Sequence, residues 1–458
     1  MSALTTTWPP SIVVVNPEVA TPPTAVIRLS RSAALFCLLC LVFVTEYEQA
    51  GSTTAKSILY NPLAGGFRLL DIAVLGLGLA HGFALGCSRA RVRAFPRKLI
   101  LLMAAFGMAI AVSLVYGFER GGRNFFFDWR ALALGLAFYF VYRFWVQSMA
   151  EARAAITCFG AVAGVHLVIL FYSYLHGQGD SLLGMRIPLF DGPSISAFVF
   201  AALLGLSLFG GGSENRRRWV WLILSAGAIL LVALCFRRTY WAEFAVGVAL
   251  LVITARGRRV RTVALPLGMF AIAFLVLGTS FAERLSSIDF TRDDAPYSED
   301  NSDHVGDVLD AWTQVRAAPL LGIGLGTSYP TWHIRNWKEE SVMVHNAPLH
   351  VWLKYGLLGL AVYLAYHLSL FRCLQMQGKR SPPRHRVIIN AVFAYLAAQF
   401  IVSFGFTPWP YSAVQSTNLI AFLLAVAFVR EPLCHPQVFL SSPRASTPQL
   451  IWKTQYSA

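Results

Sequence analysis

The dominant pattern along the chain is a series of long apolar runs separated by short polar segments. The clearest runs are 32–44, 99–115, 219–236, 263–281 and 387–404. A helix needs about 17–25 mostly apolar residues to cross a bilayer. The pattern therefore predicts an all-α protein that crosses a membrane many times as a bundle of helices.

The length rule gives about twelve candidate spans. Their approximate limits are 32–47, 68–87, 98–117, 129–147, 154–175, 194–210, 219–236, 240–255, 262–281, 344–371, 387–406 and 412–429. The chain is thereby divided into a tail at 1–30, spans one to nine within 31–281, a loop at 282–343, spans ten to twelve within 344–430, and a tail at 431–458. The first tail is rich in Pro and Thr, as mobile segments are, and no cleavable signal peptide is evident.

Composition agrees with a membrane location. Of the 458 residues, 56% are hydrophobic and 13% are charged, whereas a soluble domain has roughly 25% charged residues. The net charge of +15 does not indicate nucleic-acid binding, because the basic residues lie in short segments between spans. The seven cysteines are scattered without ligand spacing, so we expect neither a disulfide framework nor a zinc site.

Four clusters of basic residues fix the orientation of the spans. With this span count all four lie on one side, which is the cytoplasm under the positive-inside rule. Both tails then lie in the cytoplasm, and the loop at 282–343 lies outside. The clusters are Arg89, Arg91, Arg93, Arg97 and Lys98; Arg216, Arg217 and Arg218; Arg256, Arg258, Arg259 and Arg261; and Arg372, Lys379, Arg380, Arg384 and Arg386.

The loop at 282–343 is far longer than a usual connection, which indicates a functional segment. Its first half is acidic, and the spacing of its larger side chains predicts a helix around 308–318. A glycine-rich stretch at 319–326 follows, and it is not a P-loop because no Gly-Lys-Ser/Thr sequence comes after it. The carboxylates show no compact ligand spacing, so we expect no metal and no other cofactor.

Two adjacent arginines, Arg237 and Arg238, form a turn between two apolar runs on the outer side. Unpaired charge at this depth costs a few kcal/mol, so the pair needs anions or water. The guanidinium fork suits phosphate oxygens, although such arginines also serve as simple helix anchors. Arg186, in the preceding outer loop, is by itself compatible with an ordinary loop residue.

A histidine, His345, lies where the long loop enters span ten. At a water–membrane boundary, imidazole can act as a general base near neutral pH. The alternative is an interfacial polar residue with no part in chemistry. His350 follows five residues later and points to a different face of the helix.

Three fragments, taken in order, resemble signatures of the O-antigen ligase and polymerase superfamily. Arg238-Thr239-Tyr240-Trp241 resembles its Arg-x-x-Trp motif, and 319–326 resembles its Pro-hydrophobic-hydrophobic-Gly-x-Gly segment. His345-Asn346 followed by 354–359 resembles its His-Asn and Gly-Leu-Leu-Gly signature, except that Lys354 stands where the family often has an acidic residue. The resemblance covers roughly 180–430.

The resemblance implies a metal-independent glycosyltransferase of the bacterial inner membrane with a periplasmic active site. Its donor is an undecaprenyl-diphosphate-linked glycan, and its acceptor is lipid A–core or a growing surface polysaccharide. Arg186, Arg237 and Arg238 would bind the donor diphosphate, with Arg238 and His345 as catalytic residues. Asn346, Gly322 and Gly324 would orient the sugar. The partners are these lipids and glycans together with membrane lipids, and no nucleic acid.

Two other classes of function compete with this interpretation. A transporter or flippase of glycan lipids also has many spans and interior arginines, but an internal repeat and helices broken near the midplane are typical of that class. No repeat is visible in this sequence, and the polar groups gather at the outer edge. A purely structural membrane scaffold would leave the long loop unexplained.

Overall fold

A computed structural model describes residues 24–43, 68–87, 96–120, 125–176, 180–182, 185–187, 192–210, 218–235, 237–254, 266, 268, 298–332, 340–341, 344–405 and 414–429. Helices dominate these residues. In chain order they are α1 (Thr24–Phe43), α2 (Leu69–Cys87), α3 (Arg97–Glu119), α4 (Phe125–Trp145), α5 (Met149–Leu175), α6 (Gly192–Gly210), α7 (Arg218–Leu234), α8 (Arg238–Thr254), α9 (Ser298–Ala317), α10 (Ala347–Arg380), α11 (Pro383–Val402) and α12 (Val414–Ala427).

Two short antiparallel strand pairs accompany the helices. Strands β1 (Asp180–Leu182) and β2 (Met185–Ile187) form a hairpin in the connection between α5 and α6. Strands β3 (Tyr329–Pro330) and β4 (Glu340–Ser341) pair within the segment that leads from α9 to α10. Both pairs belong to the connections that the sequence places on the outer side.

The predicted all-α polytopic membrane bundle is confirmed. Five of the described helices, namely α2, α3, α5, α10 and α11, contain stretches that are long and apolar enough to cross a membrane. Shorter apolar helices lie within α1, α6, α7 and α12. The predicted ninth span at 262–281 falls outside the described residues apart from two isolated positions, so the count of twelve spans stays a prediction.

Several helix ends differ from the predicted limits. Helix α1 begins at Thr24 rather than at 32, and α10 continues to Arg380 rather than ending at 371. The last turn of α10 contains Lys379 and Arg380, where positive charge interacts favourably with the helix dipole. Apolar length therefore underestimated this helix, because its final turns are polar.

The main core contains buried residues from every described helix except α9. Polar contacts tie some of them together inside this core. The Tyr142 hydroxyl of α4 donates to Asn418 Oδ1 at 2.7 Å, and Asn418 Nδ2 donates to the Cys37 carbonyl at 2.9 Å. These bonds link α4, α12 and α1, in keeping with the use of polar side chains between membrane helices.

Helix α10 is interrupted near its amino end. Gly356 has φ 68° and ψ −173°, which separates a short first part from a long second part. Asn346 caps the helix, its side-chain oxygen accepting from the Leu349 N–H at 2.9 Å. The interruption frees backbone groups that the glycine-rich loop uses, as described below.

The orientation predicts a labelling pattern. Single cysteines at the exposed positions Thr313 of α9 and Lys379 of α10, in a background without native cysteines, are to be treated with an impermeant thiol reagent in intact spheroplasts. We expect modification of the Thr313 position and protection of the Lys379 position, because the basic clusters favour the cytoplasm. Labelling at Lys379 with protection at Thr313 would reverse the topology.

Candidate functional site

His345 is held by the carboxylate of Asp307, which lies on α9, the helix of the long loop. Its Nδ1 lies 3.1 Å from Asp307 Oδ2, and its backbone N–H donates to the same oxygen at 2.8 Å. The Tyr329 hydroxyl donates to the other oxygen, Oδ1. The Asp307 side chain is 4% exposed and that of His345 is 16% exposed. The imidazole is therefore held by Asp307 on its buried side, while part of the ring stays exposed.

The hydrogen bonds determine the charge on Asp307. Burial alone would raise its pKa, but hydrogen bonds from His345 and Tyr329 lower the pKa below the ordinary value. Because the pKa of Asp307 is lower in the folded protein, its ionisation stabilises the fold. This stabilisation is complete at pH values above the pKa that the carboxyl has in the unfolded chain. That stabilisation is lost as the pH falls through the lowered value, so Asp307 is an anion at neutral pH.

An anionic Asp307 selects one tautomer of His345. A carboxylate only accepts hydrogen bonds, so the proton of a neutral imidazole lies on Nδ1. Nε2 then carries the lone pair and is the atom able to take a proton. Asp307 thus fixes the orientation and tautomer of His345, an arrangement also found where a carboxylate holds a catalytic histidine.

The Asn346 side chain makes two hydrogen bonds within the protein. Besides capping α10, its Nδ2 donates to the Phe404 carbonyl at 2.7 Å. The neighbouring Ala347 N–H donates to the Ser403 carbonyl at 2.9 Å. The start of α10 is therefore joined to the end of α11, and a part in orienting sugar stays a prediction.

The glycine-rich stretch at 319–326 is a packing element. Gly322 and Gly324 have φ values of 72° and 92°, a region that residues with a Cβ rarely adopt. A Cβ on Gly322 would lie 2.3 Å from the Leu353 carbonyl, and one on Gly324 would lie 2.5 Å from Gly117 Cα. Both glycines allow close backbone approach, to α10 and α3 respectively, and their predicted part in orienting sugar stays untested.

Hydrogen bonds from the same stretch complete the broken part of α10. Ile323 N–H donates to the Leu353 carbonyl at 2.7 Å, and Leu357 N–H donates to the Pro319 carbonyl at 3.0 Å. On the other side, Leu325 N–H donates to the Ser113 carbonyl of α3 at 3.0 Å. The loop is thus held between α3 and the interruption in α10.

A buried ion pair supports this packing. Lys354 Nζ lies 3.1 Å from Asp128 Oδ2 of α4, with the two side chains 0% and 6% exposed. The same oxygen accepts from the Gly326 N–H at 2.9 Å, and Lys354 also donates to the Thr327 carbonyl at 2.5 Å. A buried pair needs such additional bonds to offset the loss of hydration. Lys354, which stands where the family often has an acidic residue, is therefore neutralised by Asp128 of α4.

Arg237 and Arg238 lie at the amino end of α8, and both are partly buried. The turn before them is closed by Trp241, whose ring N–H donates to the Val232 carbonyl of α7 at 2.9 Å. The Cys235 thiol donates to the same carbonyl at 2.9 Å. The tryptophan of the Arg-x-x-Trp motif thus fixes the turn that carries the arginines.

Two predicted site regions approach a common helix. Both α8 and α10 pack against α11, and Tyr395 of α11 faces Tyr240 and Glu243 of α8. Arg186 lies on β2, opposite Ser181 in the hairpin, and its side chain is outside the described residues. The structure therefore places the arginine turn and His345 at the ends of two helices that share a neighbour.

The sequence did not single out Asp307, Tyr329 or Asp128. Asp307 was one of many acidic residues in the loop, and no short motif contains both it and His345. The available signal was its place directly before the predicted helix at 308–318, which carries Ala311 and Val315 of the small core between the loop and α10. A carboxylate next to a buried helix face requires a hydrogen-bond donor or a cation, because burying an unpaired charge is costly.

Comparisons with known proteins agree with the motifs. Residues 223–364 match the family model described as O-antigen ligase, and this segment contains Arg237, Arg238, Asp307 and His345. Over 190 residues the chain is 27% identical to the O-antigen ligase of Salmonella typhimurium. That alignment covers 36% of this chain and 43% of the relative, so the chain spans less than half the length of that protein. Together these matches confirm the resemblance to the O-antigen ligase and polymerase superfamily within a multi-pass membrane protein.

Proposed function

We propose that this protein joins a lipid-linked glycan to an acceptor at the outer face of the membrane. The observation that carries the proposal is His345, held by Asp307 at the entry to α10, inside the segment that matches O-antigen ligase. The donor is anchored in the membrane and the acceptor hydroxyl comes from the aqueous side. A base with a fixed tautomer at the boundary between the two can take the hydroxyl proton during the attack.

In the proposed reaction, the acceptor hydroxyl attacks the anomeric carbon of the donor sugar. His345 Nε2 takes the hydroxyl proton as the new carbon–oxygen bond forms. The bond between that carbon and the diphosphate breaks, and the lipid diphosphate leaves with the electron pair. Arg186, Arg237 and Arg238 are proposed to stabilise the charge that develops on it, and the amino end of α8 favours anions as well.

The proposed donor is an undecaprenyl-diphosphate-linked glycan, and the proposed acceptor is lipid A–core or another surface glycan. The proposed location is the bacterial inner membrane, with both tails in the cytoplasm and the site in the periplasm. Since the arginines neutralise the leaving group, the transfer is proposed to need no divalent metal. A flippase remains the competing function, and transfer of glycan by purified protein distinguishes the two.

Arg238→Lys tests the proposed diphosphate contact. Lysine keeps the charge but loses the two-pronged geometry, and a charge-assisted bond is worth about 2 kcal/mol, so we expect transfer to fall by about tenfold or more. The measurement is glycan transfer from a lipid-diphosphate donor by purified, EDTA-treated protein.

Arg120→Lys serves as the matched control. Arg120 lies at the outer end of α3, with its guanidinium 4.3 Å from the centre of the Tyr116 ring. This change should leave transfer near the wild-type rate. Full activity of Arg238→Lys would reduce Arg238 to a helix anchor, and activity restored to the EDTA-treated wild type by magnesium or manganese would overturn metal independence.

A further inference from the structure

The loop helix α9 shows apolar residues on two sides. One side is buried, since Ala311 and Val315 lie in the small core shared with α10. A second set is exposed, with Val305 40%, Leu309 48% and Trp312 41% exposed. An amphipathic helix in an aqueous loop normally has polar residues opposite its buried apolar face.

The exposed apolar residues form one stripe. Val305, Leu309, Trp312 and Arg316 follow the spacing i, i+4, i+7 and i+11, which places them on one side of a helix. The polar contacts of α9 lie elsewhere on its surface: Asp307 bonds to His345 and Tyr329, and Asp310 accepts from the Trp332 N–H at 2.9 Å. The stripe is therefore left to contact something apolar.

The stripe continues into the surface that the transmembrane helices present to lipid. Trp312 packs edge-on against Trp352 with ring centres 5.5 Å apart, and the Trp352 ring N–H donates to the Pro319 carbonyl at 2.9 Å. The exposed Leu320 and Leu321 follow directly. Leu321 lines an open cavity with residues of α3, which are Ala111, Val112, Val115 and Tyr116 together with Glu119 at the end of the helix. Helix α3 is apolar and long enough to cross the membrane.

Both the end of the stripe and its aromatic residue suit a lipid surface. Arg316 is exposed at the carboxyl end of α9, where its cationic head can reach lipid phosphates while its stem covers apolar area. Tryptophan is enriched at the level of lipid headgroups. Contiguous exposed apolar surface marks contact with protein or membrane, and continuity with a membrane helix favours the membrane.

We propose that the stripe Val305–Leu309–Trp312–Arg316 lies in the outer boundary between lipid headgroups and acyl chains and binds phospholipid there. Helix α9 thus anchors the loop on the membrane in the manner of an interfacial amphipathic helix. Its other surface holds Asp307 against His345. The depth of the proposed site relative to the bilayer is then set by the loop helix as well as by the spans.

The test uses full-length, cysteine-free protein with an environment-sensitive fluorophore on a single cysteine at Leu309 or at Ala317. Ala317 is also exposed on α9 but lies about 100° from Arg316 around the helix. The protein is reconstituted into phospholipid vesicles with or without brominated acyl chains. We expect the Leu309 label to lose roughly half of its emission in brominated vesicles and the Ala317 label to lose much less.

Equal, weak quenching of the two labels would overturn the proposal. Shielding of the Leu309 label that depends on protein density and not on bromination would assign the stripe to a second copy of the chain, which also overturns it. A second measurement needs no cysteine changes: brominated lipid should quench the total tryptophan emission of Trp312→Phe less than that of the wild type. Identical quenching of those two proteins would again contradict the proposal.

Discussion

Replacing His345 with alanine should abolish nearly all transfer while the protein stays folded and inserted. The imidazole is the proposed base, and loss of a general base typically lowers a rate by about 10²–10⁴-fold. Cells carrying the variant should accumulate lipid-linked glycan and lose finished polysaccharide. The measurements are the amounts of both products, together with transfer by purified protein.

His176→Ala is the matched control. His176 lies at the carboxyl end of α5, is exposed, and has a hydrogen bond between its Nδ1 and the Tyr172 carbonyl of that helix. His350 is less suitable, because it is buried and its Nδ1 accepts from the Val344 N–H at 3.4 Å. Normal polysaccharide in His345→Ala cells would refute the mechanism. Loss of polysaccharide without accumulation of outward-facing donor would favour a transporter.

Replacing Asp307 with asparagine should cost nearly as much as removing the base. Asparagine removes the negative charge that stabilises the imidazolium formed when His345 takes the proton. If its N–H faces Nδ1, the imidazole proton also moves to Nε2, and the lone pair that accepts the hydroxyl proton is lost. In enzymes that pair a histidine with a carboxylate, the corresponding change reduces the rate by up to about 10⁴-fold. We expect the turnover rate to fall while the apparent affinity for donor is kept.

Asp310→Asn provides the comparison for Asp307→Asn. Asp310 lies one turn further along α9, is equally buried, and bonds to the Trp332 N–H instead of to His345. A purely structural role of the loop carboxylates would make the two variants similarly impaired in thermal stability and in donor affinity. A selective loss of turnover in Asp307→Asn supports orientation of the base, and equal activities of the two variants would contradict it.

Much of the architecture was accessible from the sequence. Apolar length located most of the helices, and the described helices agree with the predicted spans to within a few turns. The turn at Arg237 and Arg238 and the entry of His345 into α10 were also predicted, because each follows from charge or polarity next to an apolar run. The packing role of the glycine-rich stretch was not predicted, because no local pattern indicates which helices its backbone approaches.

The orientation of α9 shows the limit of pattern analysis. The spacing of Leu309 and Trp312 correctly indicated a helix, and α9 spans the predicted region. Periodicity states which residues share a face but not which face is buried. For a loop beside a membrane, protein interior and lipid both accept apolar side chains. In this helix Leu309 and Trp312 face outward, whereas the buried side carries Ala311 and Val315 together with the carboxylates of Asp307 and Asp310.

What the sequence by itself determined is the class of protein and the approximate helices, and it predicts the side of the membrane that each loop faces. These properties depend on local sums of hydrophobicity and charge. Only the tertiary structure decided that Asp307 orients His345, that Asp128 neutralises Lys354, and that 319–326 fills the interruption in α10. Asp307 and His345 are 38 residues apart, and Asp128 and Gly326 are 198 apart. Such pairings arise from how the helices pack against one another, which no local pattern encodes.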